Sequence, residues 1–287
     1  IYNSRIVHMT SFQIVSDLHI EYKNNEIPDP LTLITPTSEI LILAGDIGSL
    51  YKIKQLQGFL EKLCIHFKTV LYVPGNHEFY MVPNDNSYEP LSIQSLTNRL
   101  YYLEKNIQNL YILNQSSVII NNICITGCTL WSKAEVSIPK FIVRINGMTN
   151  QIYENKYLSD LKYIQKMMRY CKSNDLQMVV VTHHCPSYDV LQNSHKSNDR
   201  FVSLYVSNLD YLLDSSYVHT WIAGHTHKNF DYITQGGTRL VSNQRGKPRD
   251  HVYDFSKDFV VKVEKKENIL HQHQDMIINN YSNYITV

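Results

Sequence analysis

The chain has 287 residues, 43% of them hydrophobic, and its 27 Lys and Arg stand against 26 Asp and Glu for a formal net charge of +1. That length suits one large domain or two small ones with a real core, and the near-neutral balance excludes a global field that would gather nucleic acid or anionic membrane. No apolar run approaches the roughly 20 residues that a membrane-spanning helix needs.

Five cysteines (Cys64, Cys124, Cys128, Cys171 and Cys185) form no CxxC pair and lie mostly inside apolar runs. An odd number so placed reads as reduced, buried thiols in a cytoplasmic protein. Residues 1–10 lack the apolar core of a signal peptide and read as an N-terminal extension, with Met9 as a candidate start. Residues 11–264 read as one domain and residues 265–287 as a polar C-terminal tail.

Residues 11–16 form a short strand that runs into Asp17-Leu18-His19. On an extended segment residues i and i+2 point to one side, so Asp17 and His19 would face one point. One such pair is more often an ordinary loop feature than a site. Residues 39–44 form an apolar strand without alternation, the mark of a strand covered on both faces, and it ends in Gly45-Asp46. Residues 51–67 read as a helix with Ile53, Leu56, Leu60, Leu63 and Phe67 on one stripe. Residues 70–73 form the next strand, which delivers Pro74-Gly75-Asn76-His77-Glu78.

Residues 81–90 read as a loop, 91–106 as a helix, and 118–127 as a hairpin turning at Asn121-Asn122. Residues 141–151 fit no element and read as a lid-like connection, before a helix over 157–171. A buried strand over 178–182 ends in His183-His184, and Pro186 breaks it there. After a helical turn at 209–213, the strand over 218–223 ends in Gly224-His225-Thr226-His227. Short strands follow at 231–233, 238–242 and 259–263. His271 and His273 in the tail resemble a ligand pair but have no strand end beside them, so they read as incidental.

Strand after strand therefore ends in a polar group, and in open α/β sheets sites gather beyond the carboxyl ends of the strands. Asp17, His19, Asp46, Asn76, His77, His183, His225 and His227 form the constellation. Carboxylate, imidazole and amide donors without thiolate suit a divalent Mn, Fe, Zn or Ni ion rather than a structural zinc. There are too many donors for one ion, and a pair of metals about 3.5–4 Å apart is a geometry used to hydrolyse phosphate esters.

DLH, GD, GNHE, a His after a strand, and GHTH, in that order, resemble the calcineurin-like metallophosphoesterases over residues 11–263. The phrases VSDLH, LAGDIG, VPGNHEFY and VVTHH, with Asn-x-Arg-Gly at 243–246, are similar to a bacterial-type branch of uncharacterised members. The resemblance implies a four-layer α/β/β/α sandwich with the site at the carboxyl ends of the strands. It also implies that Asp17, His19 and His227 hold one metal and that Asn76, His183 and His225 hold the other, with Asp46 bridging. By the same resemblance, a hydroxide between two divalent ions, Mn2+ first among them, attacks phosphorus and His77 protonates the leaving group as general acid. Glu78 would orient a neighbour or lie on the surface, and His184 would pack rather than touch substrate. Arg245 is either a phosphate clamp or an exposed loop arginine.

The protein Ser/Thr phosphatases of the superfamily continue GD as GDxVDRG and precede GNHE with Arg, whereas this chain has Gly45-Asp46-Ile47-Gly48 and Pro74. The departure argues against a phosphoprotein substrate. A small phosphodiester or nucleotide-like substrate is the leading expectation, with Tyr80 placed to stack on a base. The alternatives are a phosphomonoesterase on small metabolites, a nuclease, which the neutral charge disfavours, and a catalytically silent binding scaffold, which would show eroded ligands. No membrane partner is expected.

Overall fold

The computed structural model describes residues 9–81, 89–192, 199–264, 276–279 and 285–286. Strand β1 (Met9–Val15) is followed by β2 (Ile40–Ala44), helix α1 (Ile53–Cys64), β3 (Thr69–Val73), α2 (Ile93–Asn106) and β4 (Leu110–Ile112). Then come β5 (Ser116–Ile120), β6 (Ile123–Cys128), α3 (Asn150–Ser173), β7 (Gln177–Thr182), β8 (Thr220–Ile222), β9 (Asp231–Ile233), β10 (Arg239–Val241), β11 (Val260–Glu264), β12 (Met276–Asn279) and β13 (Ile285–Thr286).

Two sheets result, one of five strands in the order β11-β1-β2-β3-β4 and one of eight in the order β13-β12-β5-β6-β7-β8-β10-β9. The central strands β1 to β4 run parallel, as do β6, β7, β8 and β10. Parity along each strand explains why β2 and β7 read as unbroken apolar runs. Ile40, Ile42 and Ala44 of β2 join Val179 and Val181 of β7 in one core between the sheets. Leu41, Leu43, Met178 and Val180 face the other way, into the core that the helices cover. With α2 packed on β4 and α3 on β6 and β7, the layering is the expected α/β/β/α sandwich.

Local signals set most boundaries. Ser92 Oγ caps α2 by accepting from Ser95 N at 3.1 Å, and Asn121 and Asn122, at φ 53° and 63°, turn the β5–β6 hairpin. Helix α3 starts seven residues before its expected start, because Thr149 Oγ1 caps it and the buried face opens with Tyr153. The connection before it is a pair of turns, and Met81 N donates to Arg144 O at 2.8 Å, tying it to the end of the β3 loop. In the stretch expected to be a polar tail, β12 pairs antiparallel with β5 through the apolar run Met276-Ile277-Ile278. His271 and His273 lie outside the described residues. All five cysteines are free and buried, and among the described residues no helix is long and apolar enough to cross a membrane.

Candidate dinuclear metal centre

The carboxyl ends of β1, β2, β3, β7 and β8 meet at one point. Asp17, His19, Asp46, His225 and His227 all take left-handed backbone angles, with φ between 50° and 67°. Such angles are uncommon outside glycine and concentrate where tertiary structure over-determines a site. They also correct one expectation: Asp17 and His19 converge through sharp turns, not through the alternation of an extended strand, and His225 and His227 do the same. Glycine is required twice. A Cβ on Gly45 would run into the His183 ring, and one on Gly75 into the Asp46 carboxylate.

Glu78 is fully buried and fixes this crossing of loops. Its Oε2 accepts from Asp46 N at 3.0 Å and Gly75 N at 2.6 Å. Its Oε1 accepts from Ile47 N at 2.7 Å, Gly48 N at 3.2 Å and the Tyr72 hydroxyl at 2.6 Å. Burial and the Asp46 charge push its pKa up to about 7, but five donors and no acceptor surround it, an arrangement that suits an ionised, acceptor-only carboxylate.

Four imidazoles line the meeting point, and each has its outward nitrogen on an acceptor. His19 Nδ1 donates to Glu21 Oε1 at 2.9 Å and His227 Nδ1 to Asp250 Oδ2 at 2.5 Å. His183 Nδ1 donates to Ala44 O at 2.9 Å and His225 Nε2 to Leu204 O at 3.2 Å. A neutral ring donating outward keeps its lone pair inward, the tautomer of a metal ligand. The inward nitrogens come in pairs: His19 Nε2 and His227 Nε2 are 3.1 Å apart, as are His183 Nε2 and His225 Nδ1. Two nitrogens on one ion, at about 2.0–2.1 Å each, lie about 2.9–3.4 Å apart across octahedral or tetrahedral angles.

Carboxylates complete two clusters, Asp17, His19, Asp46 and His227 in one, and Asp46, His183 and His225 in the other. Asn76 Oδ1 joins the second, 2.8 Å from His183 Nε2. Asp46 belongs to both. Its Oδ1 accepts from His77 N at 2.8 Å, and its buried Oδ2 has no hydrogen-bond partner. That orphaned oxygen sits 3.3 Å from His183 Nε2 and 3.8 Å from His19 Nε2, between the clusters. Facing lone pairs and a bare carboxylate oxygen require positive charge. Burial disfavours a proton on His183, but the Asp46 carboxylate outweighs it and pushes the pKa up to about 9. The donor set fits two divalent cations.

A family model described as calcineurin-like phosphoesterase matches residues 11–229. The chain belongs to that family. The calcineurin-like phosphoesterases are dinuclear metal-dependent phosphoester hydrolases. The chain is also 25% identical over 264 residues to an uncharacterized protein of Acanthamoeba polyphaga mimivirus, covering 83% of this chain and 91% of that protein. Two solved structures share the fold. A phosphopantetheinyl hydrolase from Mycobacterium tuberculosis matches with a TM-score of 0.64 and 15% identity, over 88% of this chain and 95% of that one. A dimetal phosphatase from Danio rerio matches with a TM-score of 0.52 and 13% identity, over 96% and 98%.

Above the metallophosphoesterase clusters lies a cavity of about 340 Å³, within the size range of small-molecule sites. His77, His184, Tyr22, Tyr80, Tyr205 and Arg144 are among its lining residues, and Lys247 adds a second cation. Burial pushes the His77 pKa down to about 4, against the pull of Asp46 and Glu21. His184 does not point away from the site: its ring lies 4.1 Å from that of His225 and 5.8 Å from that of Trp131. Arg245 does not line the cavity; its Nη1 donates to Leu18 O at 3.0 Å. The cations there are Arg144, from the turns expected to be a lid, and Lys247. Sequence reading missed both, along with Glu21 and Asp250. Glu21 carries a signal, two residues after His19 in DLHIE; Asp250, in a loop 23 residues from His227, carries none.

Proposed function

We propose that this metallophosphoesterase hydrolyses a small phosphodiester or nucleotide-like ester. In this reading Asp17, His19 and His227 hold one divalent cation, Asn76, His183 and His225 hold the other, and Asp46 serves both. The observation that carries the reading is the pairing of inward imidazole nitrogens around the unpartnered Asp46 Oδ2. When bound, the metal pair supplies Lewis-acid charge to the phosphoryl group and acidifies water. Mn2+ is the ion to supply first, with Fe, Zn or Ni as substitutes.

The chain's own groups do the rest. His77, on the cavity wall, acts as an imidazolium, with Nδ1–H held by Glu21 and the second proton, on Nε2, passing to the leaving oxygen; the ring is left neutral with Nδ1–H still on Glu21. Arg144 Nε is buried without a hydrogen-bond partner, and its guanidinium lies 5.5 Å from the centre of the Tyr80 ring. A guanidinium so placed is ready for an anionic oxygen, and the aromatic lining offers surface to a base or another flat group. The limited cavity and the net charge of +1 favour a small ester over a polynucleotide. Five free, buried thiols suit a cytoplasmic setting.

The test is hydrolysis of a chromogenic phosphodiester beside its monoester, with Mn2+ supplied. A phosphopantetheinylated substrate joins the panel because one structural neighbour bears that name. The reading expects faster cleavage of the diester. Preference for the monoester would replace it with a phosphatase acting on small metabolites, and steep loss of nucleic-acid cleavage with salt would replace it with a nuclease.

A further inference from the structure

Glu21 follows β1 in a short 3₁₀ turn, Ile20–Tyr22, and its side chain is about nine-tenths buried without lining the cavity. One oxygen does double duty. Oε1 lies 2.9 Å from His19 Nδ1 and 3.2 Å from His77 Nδ1, and the two rings meet edge to face with centroids 4.6 Å apart. Oε2 is buried with no hydrogen-bond partner. The turn does not depend on this carboxylate. Lys52 Nζ donates to the Glu21 backbone oxygen at 2.8 Å, Gln55 Nε2 to Ile20 O at 3.1 Å, and Ile20 N to Ile47 O at 3.0 Å. A buried carboxylate that the local fold does not use costs stability unless its partners need it.

We propose that Glu21 is a positioning residue that couples the metal ligand His19 to the acid His77 through one shared oxygen, a role that rests on the phosphoesterase reading above. Accepting from His19 Nδ1–H leaves Nε2 as the ligand nitrogen and makes it a stronger donor. Accepting from His77 Nδ1–H fixes that ring with Nε2 toward the leaving group. No other described side chain contacts both rings through a carboxylate oxygen. Loss of Glu21 therefore disturbs two steps that separate residues perform.

The test compares the full-length wild type with Glu21→Gln and Glu21→Ala, with folding checked by thermal melts; the near-isosteric Gln variant serves if Ala unfolds. Calorimetric titration with Mn2+ reads the first effect: one of two sites weakens about 10–100-fold while the other holds. Turnover at saturating Mn2+ reads the second, using two esters that differ only in a nitrophenolate or an alkoxide leaving group. The alkoxide ester needs the proton and loses about tenfold more rate than the nitrophenyl ester. A residue that merely props the fold would lower both alike. Unchanged Mn2+ affinity, or equal losses on both esters, overturns the proposal. If the wild type cleaves neither ester, the functional reading fails by itself. Ring ¹⁵N spectra of the histidines then decide on Glu21: a change of both His19 and His77 Nδ1 signals in Glu21→Gln supports the shared contact, and a change of one or neither overturns it.

Discussion

Glu78 Oε2 accepts from the backbone N–H of Asp46 at 3.0 Å, so one buried carboxylate fixes the main chain of another. Asp46 is thereby held at φ 55° with Oδ2 facing both histidine pairs. This side chain joins the loops after β2 and β3, alongside the bond from His77 N to Asp46 Oδ1. Glu78→Gln sets an amide NH2 against backbone N–H donors and should destabilise the chain by about 2–4 kcal/mol in denaturant melts. A loss below about 0.5 kcal/mol would mean that other contacts hold these loops.

His77 and Asp46 should separate cleanly. His77→Ala should retain both Mn2+ sites in calorimetry while turnover falls about 10²–10⁴-fold. If metal is lost from that variant, His77 is a ligand and the division of roles is wrong.

Arg144 lines the cavity and Arg245 does not. Arg144→Ala should therefore raise KM about tenfold or more, with a smaller change in kcat, as expected for a group that binds the ester before and during reaction. Arg245→Ala should leave KM within about twofold, because its side chain does not line the cavity and its Nη1 donates to Leu18 O. Steady-state kinetics on the two variants checks the contrast.

His184 is held neutral: burial, then the charge of His183, pushes its pKa from 6.5 down to about 3. Between those values the unfolded chain binds a proton that the folded chain refuses. Its contribution to stability is thus complete above about pH 6.5 and is lost as pH falls toward 3, at no more than about 1.4 kcal/mol per pH unit. Glu21, pushed down to about 2 by the His19 and His77 charges in spite of burial, adds a loss of the same sign below pH 4.5. Glu78 and Asp160, pushed up by burial to about 7 and about 6, change stability in the opposite sense over this window, so the test is a difference: in urea melts of metal-free protein at pH 7 and pH 5, the change in stability of His184→Phe should be more favourable than that of the parent by about one proton. An unaltered slope would mean that His184 is protonated in the fold.

Residues close to a strand end were legible in the sequence. A buried strand must be apolar on both parities, so its first polar residue marks the end, and Asp46, Asn76 and His183 stand out there. Long-range partners were not legible. Nothing near Asp250 marks it as the carboxylate behind His227, and Arg144 lines the cavity from a turn that Met81 N, at 2.8 Å from its carbonyl oxygen, ties to the β3 loop. Glu78 sits inside the most conspicuous motif of the chain, yet its five donors come from two loops and a strand, and spacing does not encode that. The early start of α3 was hidden for a simpler reason: before Tyr157 the helix buries only Tyr153, too little to show a period.

The central claim is that one carboxylate serves two metal sites, and metal stoichiometry tests it most directly. Mn2+ titration of the metal-free wild type should give two ions per chain, and Asp46→Asn should weaken both sites and abolish hydrolysis of the chromogenic diester. One ion or none in the wild type, or an Asp46→Asn variant that binds two ions as tightly as the parent, would contradict the account.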